Sequence, residues 1–291
     1  MSVDLRRITH PGPTENHKPL PSSGRAGRNL PAAIGVGVGL AALFLAVLFI
    51  SNEAFVVLVS AAVVLALWEL AGAFARKNRE IVLPLAWVGG VGMVVCAHFL
   101  GLEAVLGALT VTVFAVAVWK LLDGRSPQAV LDIMVTTFAL IYVALLASFV
   151  VLILDSPGAQ AGVITWVLLC VANDTGGWAF GIMWGKHPMA PKISPKKSWE
   201  GFAGSLVFSI AAGIGGMVWL GGAWWLGIPL ALLTTVAGTF GDLIESLIKR
   251  DVGLKDMSNM LPGHGGLMDR LDSLLMTAPV VYFFLKVALQ W

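Results

Sequence analysis

DLIESLIKRDVGLKDMSNMLPGHGGLMDRLD, residues 242–272, is the longest charged interruption of an otherwise apolar chain. Asp242, Glu245 or Ser246, and Lys249 recur at three- and four-residue spacing, which places them on one face of a helix. Asp269 and Asp272 share a face in the same way. Between them, Pro262-Gly263-His264-Gly265-Gly266 supplies turn residues, and its glycines let backbone N–H groups come close to a ligand. The stretch therefore reads as helix, tight loop, helix, with carboxylates from both helices offered to a shared point. Carboxylates gathered where water is scarce need a cation. Mg²⁺ takes a few such oxygens and completes its shell with water and substrate phosphates. Lys249, Arg250, Lys255 and Arg270 alongside suit a polyphosphate.

Outward from this stretch the chain is built for lipid. Hydrophobic residues make up 57% and charged residues 12%, with a mean hydropathy of +0.85. Soluble domains carry about 25% charged residues, so a polytopic membrane protein is expected. Its fold is expected to be all-α, because a helix satisfies its own backbone hydrogen bonds in hydrocarbon. Apolar runs of spanning length predict nine helices, at 31–50, 54–75, 81–99, 104–122, 130–153, 162–184, 200–220, 224–245 and 271–290. Residues 31–291 would form one transmembrane domain. Residues 1–30 are polar and proline-rich, with Arg6, Arg7, Lys18, Arg25 and Arg28, and read as a disordered tail rather than a signal peptide. His10 and His17 within it read as solvated.

The connections alternate in charge. Of the 19 Lys and Arg residues, only Lys286 lies outside the tail and the alternate loops at 76–79, 120–125, 185–200 and 245–270. The positive-inside rule then predicts a cytoplasmic N-terminus and a cytoplasmic 242–272 loop in the plasma or inner membrane. Cys96 and Cys170 sit in apolar runs and have neither a disulfide framework nor metal-ligand spacing. Gly89-Gly90-x-Gly92 and Gly213-x-Gly215-Gly216 lack a preceding strand and a Walker lysine, and read as close helix packing.

Ionisable residues inside spans are costly and mark function. Glu69, Asp174 and Asp242 fall there. For Glu69, a functional acid and a simple hydrogen-bonded one are equally good readings. Asn173-Asp174-Thr175 places three polar groups together in an apolar helix, which implies water or ligand access. A second chemical stretch, Ser194-Pro195-Lys196-Lys197-Ser198-Trp199-Glu200-Gly201, precedes the seventh span. Ser198 is placed to cap that helix, leaving N–H groups to meet an anion. A topological anchor would explain the lysines but not the ordered motif. His187 has no partner at metal-ligand spacing and reads as structural or solvated. His264 reads as a phosphate ligand or as a group that orients a carboxylate.

Three segments together resemble the signature of the phosphatidate cytidylyltransferase (CDP-diacylglycerol synthase) family. They are Ser246-x-x-Lys249-Arg250, Lys255-Asp256, and His264-Gly265-Gly266-x-x-Asp269-Arg270-x-Asp272. The Ser194–Gly201 segment and Asn173-Asp174-Thr175 resemble further family segments, so the likeness covers residues 173–273. It implies CTP and phosphatidate as substrates, with CDP-diacylglycerol and pyrophosphate as products in phospholipid biosynthesis. Mg²⁺ is the implied cofactor, with Asp242 and Asp269 as first ligands and Asp174 and Asp272 as second ones. A second, monovalent cation such as K⁺ is implied by the resemblance alone. Asp242, Asp269, Lys249, Arg270 and His264 would be catalytic. Asn173, Asp174, Ser194, Lys196, Lys197, Ser198, Ser246, Arg250, Lys255, Asp256, Gly265 and Gly266 would bind substrate. The bilayer is the expected partner and nucleic acid is not, with a homodimer left open. A CTP-dependent polyprenol-type lipid kinase is the alternative. An ion-coupled transporter would explain Asp174 and Asp242 but not the HGGxxDRxD loop.

Overall fold

The computed structural model describes residues 11–14, 30–124, 127–258, 260 and 265–291; for 30–34 this holds for the backbone alone. Helices dominate: α1 (Leu30–Ile50), α2 (Asn52–Ala75), α3 (Leu83–Leu100), α4 (Leu102–Asp123), α5 (Ala129–Leu154), α6 (Ala159–Trp184), α7 (Trp199–Trp219), α8 (Gly227–Val252) and α9 (Met268–Ala288). A π-helical segment, Leu140–Leu145, lies within α5. Among the described residues, eight of the helices are long and apolar enough to cross a membrane. The described apolar part of α1, Gly35–Ile50, is shorter. Each predicted helix is present, and two boundaries differ where it matters. α8 runs on past the predicted span to Val252, so Ser246 and Lys249 are helical, as their spacing predicts, and it ends at Gly253, whose φ is +73°. α9 starts at Met268, before the predicted span, and carries Asp269 and Asp272 on one helix, as their spacing predicts. A hairpin of β1 (Pro188–Ala190) and β2 (Ser194–Ser198) was not expected.

The chain packs as two compact units: Met1–Val151 with Asp251–Arg270, and Leu152–Arg250 with Leu271–Trp291. In the first, Ser51, the residue after α1 ends, caps α2, its Oγ accepting the Ala54 N–H at 3.1 Å. Phe44 and Phe55 join α1 to α2 edge to face at 5.4 Å. Gly89 and Gly90 let α3 approach two neighbours at once. A Cβ on Gly89 would meet Thr112 of α4 at 2.2 Å, and one on Gly90 would meet Val63 of α2 at 3.1 Å and Ala144 of α5 at 3.4 Å. Lys120 of α4 is buried between Glu80 at 2.5 Å and Asp132 at 3.0 Å, and Asp132 also accepts the Glu80 N–H at 2.8 Å. The extra carboxylate and the backbone bond offset the desolvation of this buried pair. Within the tail, Pro11–Thr14 lies on α2: the Thr14 N–H donates to Gly72 O at 3.1 Å, and Arg76 donates to Thr14 O and Val252 O. The rest of the tail is outside the described residues.

In the second unit, α6 and α7 pack backbone to backbone. A Cβ on Gly176 would lie 2.4 Å from Gly204 O, and one on Gly201 would lie 3.0 Å from Gly177 O. In lipid the apolar surface itself gives helices no reason to associate, and small residues substitute close van der Waals contact. Gly213 against Gly227 O, and Gly241 against Asp272 O, extend the pattern to α8 and α9, each at 2.4 Å. Exposed Trp184 and Trp199 mark one end of this unit, and Trp219, Trp224 and Trp225 the other. The 21 residues of α7 cover about 30 Å, the thickness of a bilayer core flanked by aromatic belts.

Two glycines of one helix test this packing. Gly213→Ala should cost about 1–3 kcal/mol by overpacking, seen as a lower melting temperature of the protein in detergent. Gly215→Ala, whose Cβ meets nothing within 4 Å, should not. Equal effects would refute backbone contact as the reason for Gly213.

Candidate active site

A cavity of about 240 Å³ opens among α6, the hairpin, α7 and α8 of the second unit. Asn173 and Asp174 reach it from α6, Lys196 and Lys197 from β2, Ser205 from α7, and Asp242 from α8. Local structure places each of them. Ser198 lines the cavity and caps α7, its Oγ accepting the Gly201 N–H at 3.1 Å, as its sequence position predicts. The strand carrying the lysines thus runs directly into α7 at this cap. Glu200 fixes the base of the hairpin, accepting the Lys186 and His187 N–H groups at 3.1 and 3.2 Å and pairing with His187 Nδ1 at 2.5 Å. His187 is thereby a structural residue of the loop. Its partner was missed because the two are 13 residues apart and only the hairpin brings them together.

Inside the cavity, Lys197 Nζ forms an ion pair with Asp242 Oδ2. Asn173 Nδ2 donates to Asp174 Oδ1 at 3.3 Å, while Asn173 Oδ1 is buried with no hydrogen-bond partner. The Ser205 hydroxyl donates to Asn173 O at 2.6 Å and steadies this point of α6. An orphaned buried acceptor is expensive and fits a cation or a ligand donor. Asp272 of α9 lies against Gly241 through its backbone, and its carboxyl feels the charges of Asp242, Asp174 and Lys249. Lys249 pairs with Glu245, one turn away on α8 and almost fully buried. Glu245 belongs to the helical face seen in sequence, but its burial depends on packing.

Among the described residues no three acidic, His or Cys side chains gather at metal-binding distance. The donor set nevertheless suits Mg²⁺. Asp174, Asp242 and the unpartnered Asn173 oxygen are hard ligands in one hollow, and Mg²⁺ is commonly held by one or two carboxylates with water and substrate phosphates.

Among the described residues, the other candidates are not part of the cavity lining. Ser194 opens β2, Ser246 is half-buried on α8, and Arg250 is exposed, its Nε donating to Ile193 O at 3.4 Å. Lys255 and Arg270 are exposed in the first unit. Asp256 lies beside Gly265. His264 is outside the described residues, as are Pro262 and Gly263. Asp269 Oδ2 accepts the Met257 N–H at 2.9 Å and the Gly266 N–H at 2.8 Å, so this carboxylate holds loop backbone.

A sequence profile of the cytidylyltransferase family matches residues 31–288. The chain belongs to the cytidylyltransferase family. It is 37% identical over 288 residues to a phosphatidate cytidylyltransferase of Mycobacterium bovis, covering 93% of this chain and 92% of that protein. It is 37% identical over 284 residues to the protein of that name from Mycobacterium leprae, covering 90% and 89%. The one from Thermotoga maritima is 29% identical over 264 residues, covering 87% and 95%. The matched span takes in both the cavity residues and the 242–272 stretch, so this cytidylyltransferase carries its polar residues within the part that defines the family.

Lys197→Met should lower nucleotidyl transfer by about 10²–10³, the cost of removing one preorganised charge from a reacting centre. Asp242→Asn should do the same, with membrane insertion intact in both. Lys192→Met leaves a residue outside the cavity lining changed and should behave as wild type. Matching activities for Lys197→Met and Lys192→Met would show that the lysines act only as anchors.

Proposed function

We propose that this chain transfers the cytidylyl group of CTP to phosphatidate, giving CDP-diacylglycerol and pyrophosphate at a membrane surface. The observation that carries the reading is the cavity: two carboxylates, two lysines and an orphaned amide oxygen share one hollow. Its chain matches phosphatidate cytidylyltransferases over nine-tenths of its length.

Both reactants are polyanions, so the residues must first hold like charges together. Lys196 and Lys197 meet phosphate oxygens at the mouth of the hollow. Asp242 keeps Lys197 in place until a phosphate competes for it. Asp174, Asp242 and Asn173 Oδ1 would hold Mg²⁺, with Asp272 beside them. Mg²⁺ when bound would neutralise charge on the triphosphate and on the departing pyrophosphate. A lipid phosphate oxygen forms the new bond to the α-phosphorus, and the α-to-β bridging bond breaks. The phosphate monoester is already ionised near neutral pH, so no side chain has to remove a proton. Catalysis is then positioning and charge stabilisation, which lysines and dipoles in a hollow supply. The acyl chains remain in the bilayer. The charge alternation supports a cytoplasmic N-terminus and a cytoplasmic site in the plasma or inner membrane.

Label position tests the reaction. With purified protein, CTP, phosphatidate and Mg²⁺, α-phosphate label should enter the chloroform-soluble product and γ-label should leave as pyrophosphate. γ-Label in the lipid, with an alcohol as acceptor, would make the protein a CTP-dependent lipid kinase instead.

Orientation has its own test. A cysteine replacing exposed Met260 should escape an impermeant thiol reagent in intact cells, whereas one replacing exposed Asp155 should react. The opposite labelling would reverse the topology.

A further inference from the structure

Glu69 lies in α2, 1% exposed, and the reaction outlined above gives it no role. Its carboxylate is nonetheless among the most heavily used in the first unit. Oε1 accepts the Leu267 N–H at 2.9 Å and the Ser258 hydroxyl, and Oε2 accepts the Met268 N–H at 2.7 Å. Leu267 and Met268 are the entry to α9, so Glu69 supplies from another helix the anion that a helix N-terminus calls for. These N–H groups are spoken for by the protein.

The paired glycines complete the arrangement. A Cβ on Gly266 would stand 2.9 and 3.0 Å from the two Glu69 oxygens and 3.0 Å from Ser258 N. Gly265 has φ +83°, and a Cβ there would stand 3.0 Å from Asp269 Oδ2. Asp269 in turn takes the Gly266 and Met257 N–H groups. Two carboxylates thus seat on two adjacent glycines and bind four backbone N–H groups and a hydroxyl. The close approach that the glycines permit is used by Glu69 and Asp269.

We infer that Glu69 is a positioning residue that locks the entry to α9 onto α2 and so sets the first turn bearing Asp269 and Arg270. The role in turnover rests on the proposed reaction drawing on Asp269 and Arg270, the catalytic pair that the family resemblance implies; the lock itself does not. Glu69→Gln keeps the shape but leaves one acceptor oxygen for three donors and turns an NH₂ toward one of them. Gly266→Ala leaves Glu69 intact but pushes its carboxylate out.

The experiment compares wild type, Glu69→Gln, Gly266→Ala and the double variant in detergent, by amide hydrogen exchange and by steady-state kinetics with CTP and phosphatidate. Exchange in peptides covering 257–258 and 265–270 should rise at least about tenfold, the scale of one lost buried hydrogen bond, while peptides of α6 and α7 stay unchanged. kcat should fall at least about thirtyfold with KM for CTP within about threefold, as for a group that positions the transition state without binding the ground state. The double variant should be no worse than the worse single one, because both break one lock. Unchanged exchange overturns the lock, and so does multiplication of the two effects. Increased exchange with normal kcat overturns the positioning role. If Glu69→Gln fails to fold, Gly266→Ala alone decides through the same readouts. If wild type transfers no cytidylyl group, the proposed reaction fails, and the exchange data still judge the lock.

Discussion

A polar group placed in a membrane helix must find its partners within the protein, since lipid offers none. That constraint shapes both units of this cytidylyltransferase. In the first, Lys120 lies between Glu80 and Asp132, and Glu69 is closed by Leu267, Met268 and Ser258. In the second, Lys197 meets Asp242, and Lys249 meets Glu245. Asn173 Oδ1 is a buried acceptor without a partner in a cavity wall, where a ligand can reach it.

Close backbone approach is the second theme, and it serves several ends. Gly176, Gly201 and Gly204 bring α6 and α7 together so that Asn173, Asp174 and Ser205 face one hollow. Gly213 does the same between α7 and α8. Gly265 and Gly266 use the same freedom to seat carboxylates rather than another helix. Other glycines of the same runs have open space around them: Gly92 and Gly215 meet nothing within 4 Å. Spacing alone does not distinguish the two sorts, because the neighbour that demands a glycine is contributed by another helix.

The site was legible to different depths. Lys196, Lys197, Asp174 and Asp242 stood out because a charge in an apolar chain is conspicuous, and the structure gathers them in one cavity. Ser198 was legible as a cap because capping is local. Glu200 and Ser205 act through partners fixed by the hairpin and by helix packing, and no local pattern announces those partners, whereas Glu245 meets Lys249 one turn on, along the face that the spacing marks. Asp269 was marked as important, but its bonds to Met257 and Gly266 depend on how the loop folds back on the start of α9.

What the amino-acid order settled by itself was the all-α membrane class, the helix positions to within a few residues, and the family. Each follows from apolar run length, turn residues and an ordered motif, which are properties of neighbours in the chain. Tertiary structure decided which acids hold backbone and which line the cavity, and what Glu69 does. Those depend on contacts such as Glu69 to Met268, 199 residues apart, and only packing can set the geometry of residues so distant in the chain.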